Sequence, residues 1–132
     1  MNKTKFCGVL ENIMYDDLLK TLEDILDKDK LKSKIRLFGE EITYADEKID
    51  LYIHTENKSG SSSKTEGKDN FLLEGQFFGS IEEEKKYFSI WLKIFDSKSI
   101  PYSFEYYEED EDGNMLADSD EVRHPHYGNK LG

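Results

Sequence analysis

One cysteine in 132 residues, Cys7, excludes an internal disulfide framework and suits a reducing, cytoplasmic compartment. Only two prolines interrupt the chain, and no apolar run approaches membrane-spanning length, so no membrane association is expected. The start, "MNKTKFCGVLENIMYDD", offers only a few consecutive apolar residues before Glu11, too few for a signal-peptide core. Also missing are a glycine-rich phosphate loop, a G-x-S-x-G elbow, and the CxxC and HExxH spacings of zinc sites. Basic residues are scarce where the acids concentrate. From Glu105 to Glu121 there are nine acids and no Lys or Arg, whereas residues 1–100 carry a net charge of only −4.

The whole chain has a formal charge of −11, which disfavours direct binding to nucleic acid, because that surface needs cations to displace counterions. An acidic protein instead attracts basic partners and meets them faster. Eight Tyr, eight Phe and one Trp provide the bulk for one modest core, and the length fits a single domain over residues 1–132.

Local patterning gives an order of elements. "KFCGVL" (Lys5 to Leu10) is apolar on both faces and reads as an internal strand. Leu18, Leu19, Leu22, Ile25 and Leu26 form one helical stripe, with Asp16 and Asp17 in the first turn, where the helix dipole favours negative charge. The helix is expected to end within "DKDKLKSK". Ile35 to Tyr44 reads as a single strand with a bulge at Phe38-Gly39, where the alternation slips. In "IDLYIHT", Ile49, Leu51 and Ile53 face one way and Asp50, Tyr52 and His54 the other. A flexible polar loop is expected over about 57–70, followed by the strand "FLLEGQFFG".

Ser80 and Glu83 have capping-box spacing at the head of a second helix, and Glu82, Glu83 and Glu84 read as first-turn acids. Phe88, Trp91, Leu92 and Phe95 form that helix's stripe, widened by Tyr87, Ile90 and Ile94, so it is expected to pack against more than one surface. "PYSFEYYEE" is the next strand, and a C-terminal arm or short returning strand covers about 115–132. These elements predict a two-layer α+β sandwich. A mainly antiparallel sheet of five or six strands carries two helices, in a ferredoxin-like split βαβ arrangement with an extra hairpin strand.

Three constellations could carry chemistry. "EEDEDGNMLADS" aligns Glu108, Asp110, Asp112 and Gly113 with a calcium loop, but position one is Glu and the closing carboxylate is replaced by Ser119. A two-residue turn at Asp112-Gly113 or Gly113-Asn114 explains the glycine equally well. "RHPHY" sets His124 and His126 two apart, on one face if extended, with Asp118, Asp120 or Glu121 as further ligands. Cys7 in an apolar strand reads as an inert small hydrophobe, and His54 as exposed polar surface, so no catalysis and no cofactor are expected. The third constellation is the last long strand. Tyr102, Phe104 and Tyr106 belong to the core side, leaving Glu105, Tyr107, Glu108, Glu109, Asp110, Glu111 and Asp112 as candidate residues for docking a basic protein. Charge on an edge strand also guards against aggregation, which is the plainer account of the same residues.

A small, acidic, Lys/Ile/Asn/Asp-rich α+β chain with one Cys and the run "EYYEEDEDGN" resembles the immunity proteins of bacterial toxin systems, including contact-dependent inhibition and other polymorphic toxins. That resemblance implies stoichiometric inhibition of a cognate toxin, often a cationic nuclease, by an acidic surface laid over or beside its substrate groove. The alternative is a small-ligand or metal-ion-binding module, using the acidic turn or His124 and His126.

Overall fold

The computed structural model describes residues 2–36, 39–55 and 68–128. Its elements run β1 (Lys3–Met14), α1 (Tyr15–Ile25), a 3₁₀ turn (Lys28–Lys30), β2 (Leu31–Arg36), β3 (Gly39–Ala45) and β4 (Ile49–Thr55). They continue with β5 (Lys68–Phe77), α2 (Ile81–Ser97), β6 (Tyr102–Glu109) and β7 (Asp120–Arg123). The seven strands form one sheet in the order β2-β3-β4-β5-β1-β6-β7, and every neighbouring pair is antiparallel. The class is α+β, with one strand more than the upper expectation. A ferredoxin-like arrangement is only roughly matched: β4-β5-β1-β6 forms the middle, and the β2–β3 pair and β7 extend it on either side.

Two differences from the expected strands have clear causes. The single bulged strand over Ile35 to Tyr44 is two paired strands, with Arg36 opposite Gly39. The slip in alternation therefore marks a chain reversal, and Gly39 takes φ 120°, a region that a side chain would strain. Part of "DKDKLKSK", assigned to a helix end, supplies β2 instead: Leu26 closes α1 and Asp27 caps the 3₁₀ turn by accepting from Asp29 N–H at 3.0 Å. Most of the expected polar loop lies outside the described residues, but its last three positions begin β5, held by pairing with the end of β1.

β1 is the internal strand, between β5 and β6. Thr4, Phe6 and Leu10 point to the core; a bulge after Leu10, with Asn12 at φ 56°, brings Ile13 back to the same side. Asn12 N–H is answered by Asn70 Oδ1 at 3.0 Å. Gly8 faces the same side, where a Cβ would lie 2.2 Å from the Phe104 ring, so that ring lies across the bare backbone.

Both helices cover this one face of the sheet. Leu18 and Leu22 of α1 are fully buried, and Phe88 and Phe95 of α2 pack on Phe6, Tyr102 and Phe104, with buried Trp91 in ring contact with both helix phenylalanines. Lys98 Nζ ties the end of α2 to Thr21 Oγ1 of α1 at 2.9 Å. Ser80 caps α2 through the expected box with Glu83. Ile90, by contrast, is 60% exposed, so it lies outside the packed part of the stripe, which Tyr87 and Leu92 widen. No helix among the described residues is long and apolar enough to cross a membrane.

Candidate functional site

The second face of the sheet carries no helix among the described residues. Alternation brings Lys5 and Cys7 of β1, Asp50 and Tyr52 of β4, Glu74 and Gln76 of β5, and Glu105 and Tyr107 of β6 to that side. Together they line a shallow hollow of about 650 Å³. A neighbouring depression of about 280 Å³ continues it past Val9, His54, Leu72 and Ser103. Sheet register sets the charge pattern. Cys7 stands opposite Glu74 on one side and Glu105 on the other, and Glu105 stands opposite Glu121. One row across four strands thus reads Glu, Cys, Glu, Glu, and the hollow sets Asp50, Glu74 and Glu105 against a single Lys5. Tyr52 stacks on His54 with ring centroids 5.0 Å apart and donates its hydroxyl to Glu41 at 2.8 Å, two contacts that fix its position on this face.

Cys7 is exposed here, contrary to the expectation of a buried hydrophobe, because residue 7 falls on the uncovered side of the pleat. Partial burial and then the carboxylates of Glu105 and Glu74 push its thiol above the ordinary value, so it is a poor nucleophile.

The acidic run divides among separate jobs. Glu105 lies in the hollow and accepts from Ser119 Oγ at 2.8 Å; Tyr107 lies beside it and hydrogen-bonds Glu109, whose carboxylate raises the phenol after desolvation has done so. Glu109 is buried, with Lys5 Nζ 4.0 Å away. Glu108 points to the helical side, where it accepts from Ile81 N–H at 3.0 Å and Asn2 Nδ2 at 2.6 Å, supplying negative charge at the start of α2. Asp110 organises the turn by accepting from the backbone N–H groups of Asp112 and Asn114, each at 2.9 Å, which hold its carboxyl below the usual range. Glu111 and Asp112 are exposed at the tip. The run therefore does not form one surface: Glu108 and Asp110 serve the fold.

The turn itself is longer than two residues. Asp110 N–H donates to Asn114 O at 3.0 Å, Gly113 takes φ 84°, and Glu109 bridges Met115 beyond it. The paired histidines stay neighbours, with ring centroids 5.4 Å apart, but differ in burial. His124 is buried against Tyr102, its Nδ1 accepts from His126 N–H at 3.1 Å, and its Nε2 lies 3.6 Å from Asp96 Oδ1. His126 is exposed. Among the described residues no three His, Cys, Asp or Glu side chains converge as metal ligands.

Two sets of residues escaped the sequence reading. Asp50, Tyr52, Glu74 and Gln76 join Glu105 only because β5 and β1 bring distant strands together, and the alternation opposite Ile49, Leu51 and Leu73 was their available signal. Glu84, assigned with the first-turn acids, is 2% exposed, and its Oε1 has no hydrogen-bond partner. The signal was its spacing, four residues before Phe88 on the buried stripe. Burial, with a smaller contribution from Asp120 and partial relief from Lys85, raises its pKa to about 7. No protein-family model matches the chain, and no curated protein is similar to it.

Proposed function

We propose that this chain is a non-enzymatic binding protein that neutralises a basic protein partner, in the manner of bacterial immunity proteins that inhibit a cognate toxin such as a cationic nuclease. The observation that carries the reading is the hollow on the uncovered sheet face, where Asp50, Glu74 and Glu105 line the walls with one lysine, and Tyr52 and Tyr107 lie among them. Glu105 stands directly opposite Glu121 across β6 and β7, an arrangement that costs the free chain stability and that a cationic partner relieves. Half-buried tyrosines such as Tyr52 and Tyr107 contribute contact area and a hydroxyl at little entropic expense. Glu105 and Tyr107 belong to this surface, with Glu109 at its margin and Glu111 and Asp112 extending the negative field beyond the strand end. The lone thiol fits action in the cytoplasm.

Affinity capture from the native host, followed by co-expression of the captured protein with and without this chain, tests the proposal. A basic partner that arrests growth alone and is silenced in a one-to-one complex supports it. A partner without growth-inhibiting activity, or one that is acidic, refutes the toxin-inhibitor reading. A small-ligand-binding module is the second reading, and the apolar cavity beside Glu84 is the observation that favours it.

A further inference from the structure

On the helical side of the sheet, away from the acidic hollow, a cavity of about 230 Å³ lies between α2 and the β6–β7 edge. Its walls are Phe6, Phe88, Leu92, Phe104, Tyr106 and Val122, and it reaches the surface beside the exposed Ser89 and Lys85. Glu84 is the carboxyl in this apolar lining, and its Oε1 is both buried and unpartnered. Leaving such an oxygen unanswered carries a desolvation cost that a hydrogen-bond donor would remove. Glu40, also buried, is answered by the Thr55 hydroxyl at 2.6 Å. The nearest cation to Glu84 in sequence, Lys85, is committed elsewhere: its Nζ pairs with Asp120 at 2.6 Å and lies over the Tyr106 ring, 5.7 Å from the centroid.

We propose that this cavity binds a small organic amine with an apolar body, whose ammonium group donates to Glu84 while its ring or chain fills the space between Phe88, Phe104 and Val122. An apolar cavity of about 150 Å³ accommodates benzene, so this one has room for a ring with a short alkylamine arm. A cation is preferred over a neutral donor because a charge-assisted hydrogen bond is about twice as strong as a neutral one. The charged and titratable groups facing Glu84 are Lys85 from α2, Tyr106 from β6 and Asp120 from β7. With its pKa at about 7, Glu84 is ionised above neutrality and protonated below it, so an ammonium binds the higher-pH form.

Titration of the intact chain with 2-phenylethylamine, following the Leu92 and Val122 methyl resonances by NMR, tests this, with 2-phenylethanol as the uncharged control. Saturable shifts at those methyls are expected at pH 8, with affinity for the amine about tenfold weaker at pH 6, following the ionised fraction of Glu84. Glu84→Gln should weaken the amine by about tenfold and leave the alcohol nearly unchanged. Val122→Phe, which fills the cavity, should abolish both and serves as an independent variant if Glu84→Gln folds poorly. No saturable shift at Leu92 and Val122, or equal amine affinity at both pH values, overturns the proposal.

Discussion

Replacing Glu84 by Gln should stabilise the protein at pH 8 relative to pH 4 by an amount that the structure sets. A free glutamate ionises near 4.5, but in the folded chain Glu84 does so at about 7, because burial disfavours the charged form. Between these values the native state holds a proton that the unfolded state has released, so stability falls as pH rises. The loss is complete above the folded value, and the gap corresponds to about 3 kcal/mol. Glutamine carries no charge at either pH, so it escapes this loss while keeping the shape and the unanswered oxygen. The difference in unfolding free energy between Glu84→Gln and wild type should therefore grow by about 3 kcal/mol from pH 4 to pH 8, or roughly 10 °C in midpoint for a chain of this length. Urea or thermal unfolding of both proteins at the two pH values measures it, and comparison with the variant cancels the titration of the other acids. A difference that is the same at both pH values would refute the burial of Glu84 as an ionisable group.

Three further outcomes follow from particular contacts. Gly8→Ala places a methyl against the Phe104 ring and the Ser103 carbonyl oxygen, and should cost about 1–3 kcal/mol in urea unfolding; a neutral result would mean that the ring does not lie across β1. Glu108→Ala removes the acceptor for Ile81 N–H and should destabilise by about 1 kcal/mol, and equal stability to wild type would return Glu108 to the free surface. Alkylation of Cys7 at neutral pH should be slow despite its exposure and should speed up when Glu74 and Glu105 are both changed to Gln; an unchanged rate would remove those carboxylates from its surroundings.

Sequence patterning exposed the core side of most strands because alternation and helical stripes are local. Ile49, Leu51 and Ile53, Tyr102, Phe104 and Tyr106, and the Ser80 cap all behave as their spacing implies. It failed where the deciding contact is long-range. β2 has only Leu31 and Ile35 as apolar residues and becomes a strand by pairing with β3, so "LKSK" by itself resembles a frayed helix end. The candidate surface was half legible. Glu105 and Tyr107 could be assigned to one face from their own strand, but Glu74 and Asp50 reach them only across β1 and β5. Conversely, one run of five acids looked like one feature, whereas successive residues of a strand end face opposite ways, and two of the five were claimed by a helix start and a turn.

The central claim is that the acidic hollow on the uncovered sheet face docks a basic protein. Its most direct test is the association rate of the captured partner with wild type and with a Glu74→Lys, Glu105→Lys variant, measured by stopped flow at low and high salt. The account predicts a wild-type rate that falls steeply with salt and a variant at least about tenfold slower at low salt, with the two converging as salt rises. Equal rates for the two proteins at low salt would contradict it.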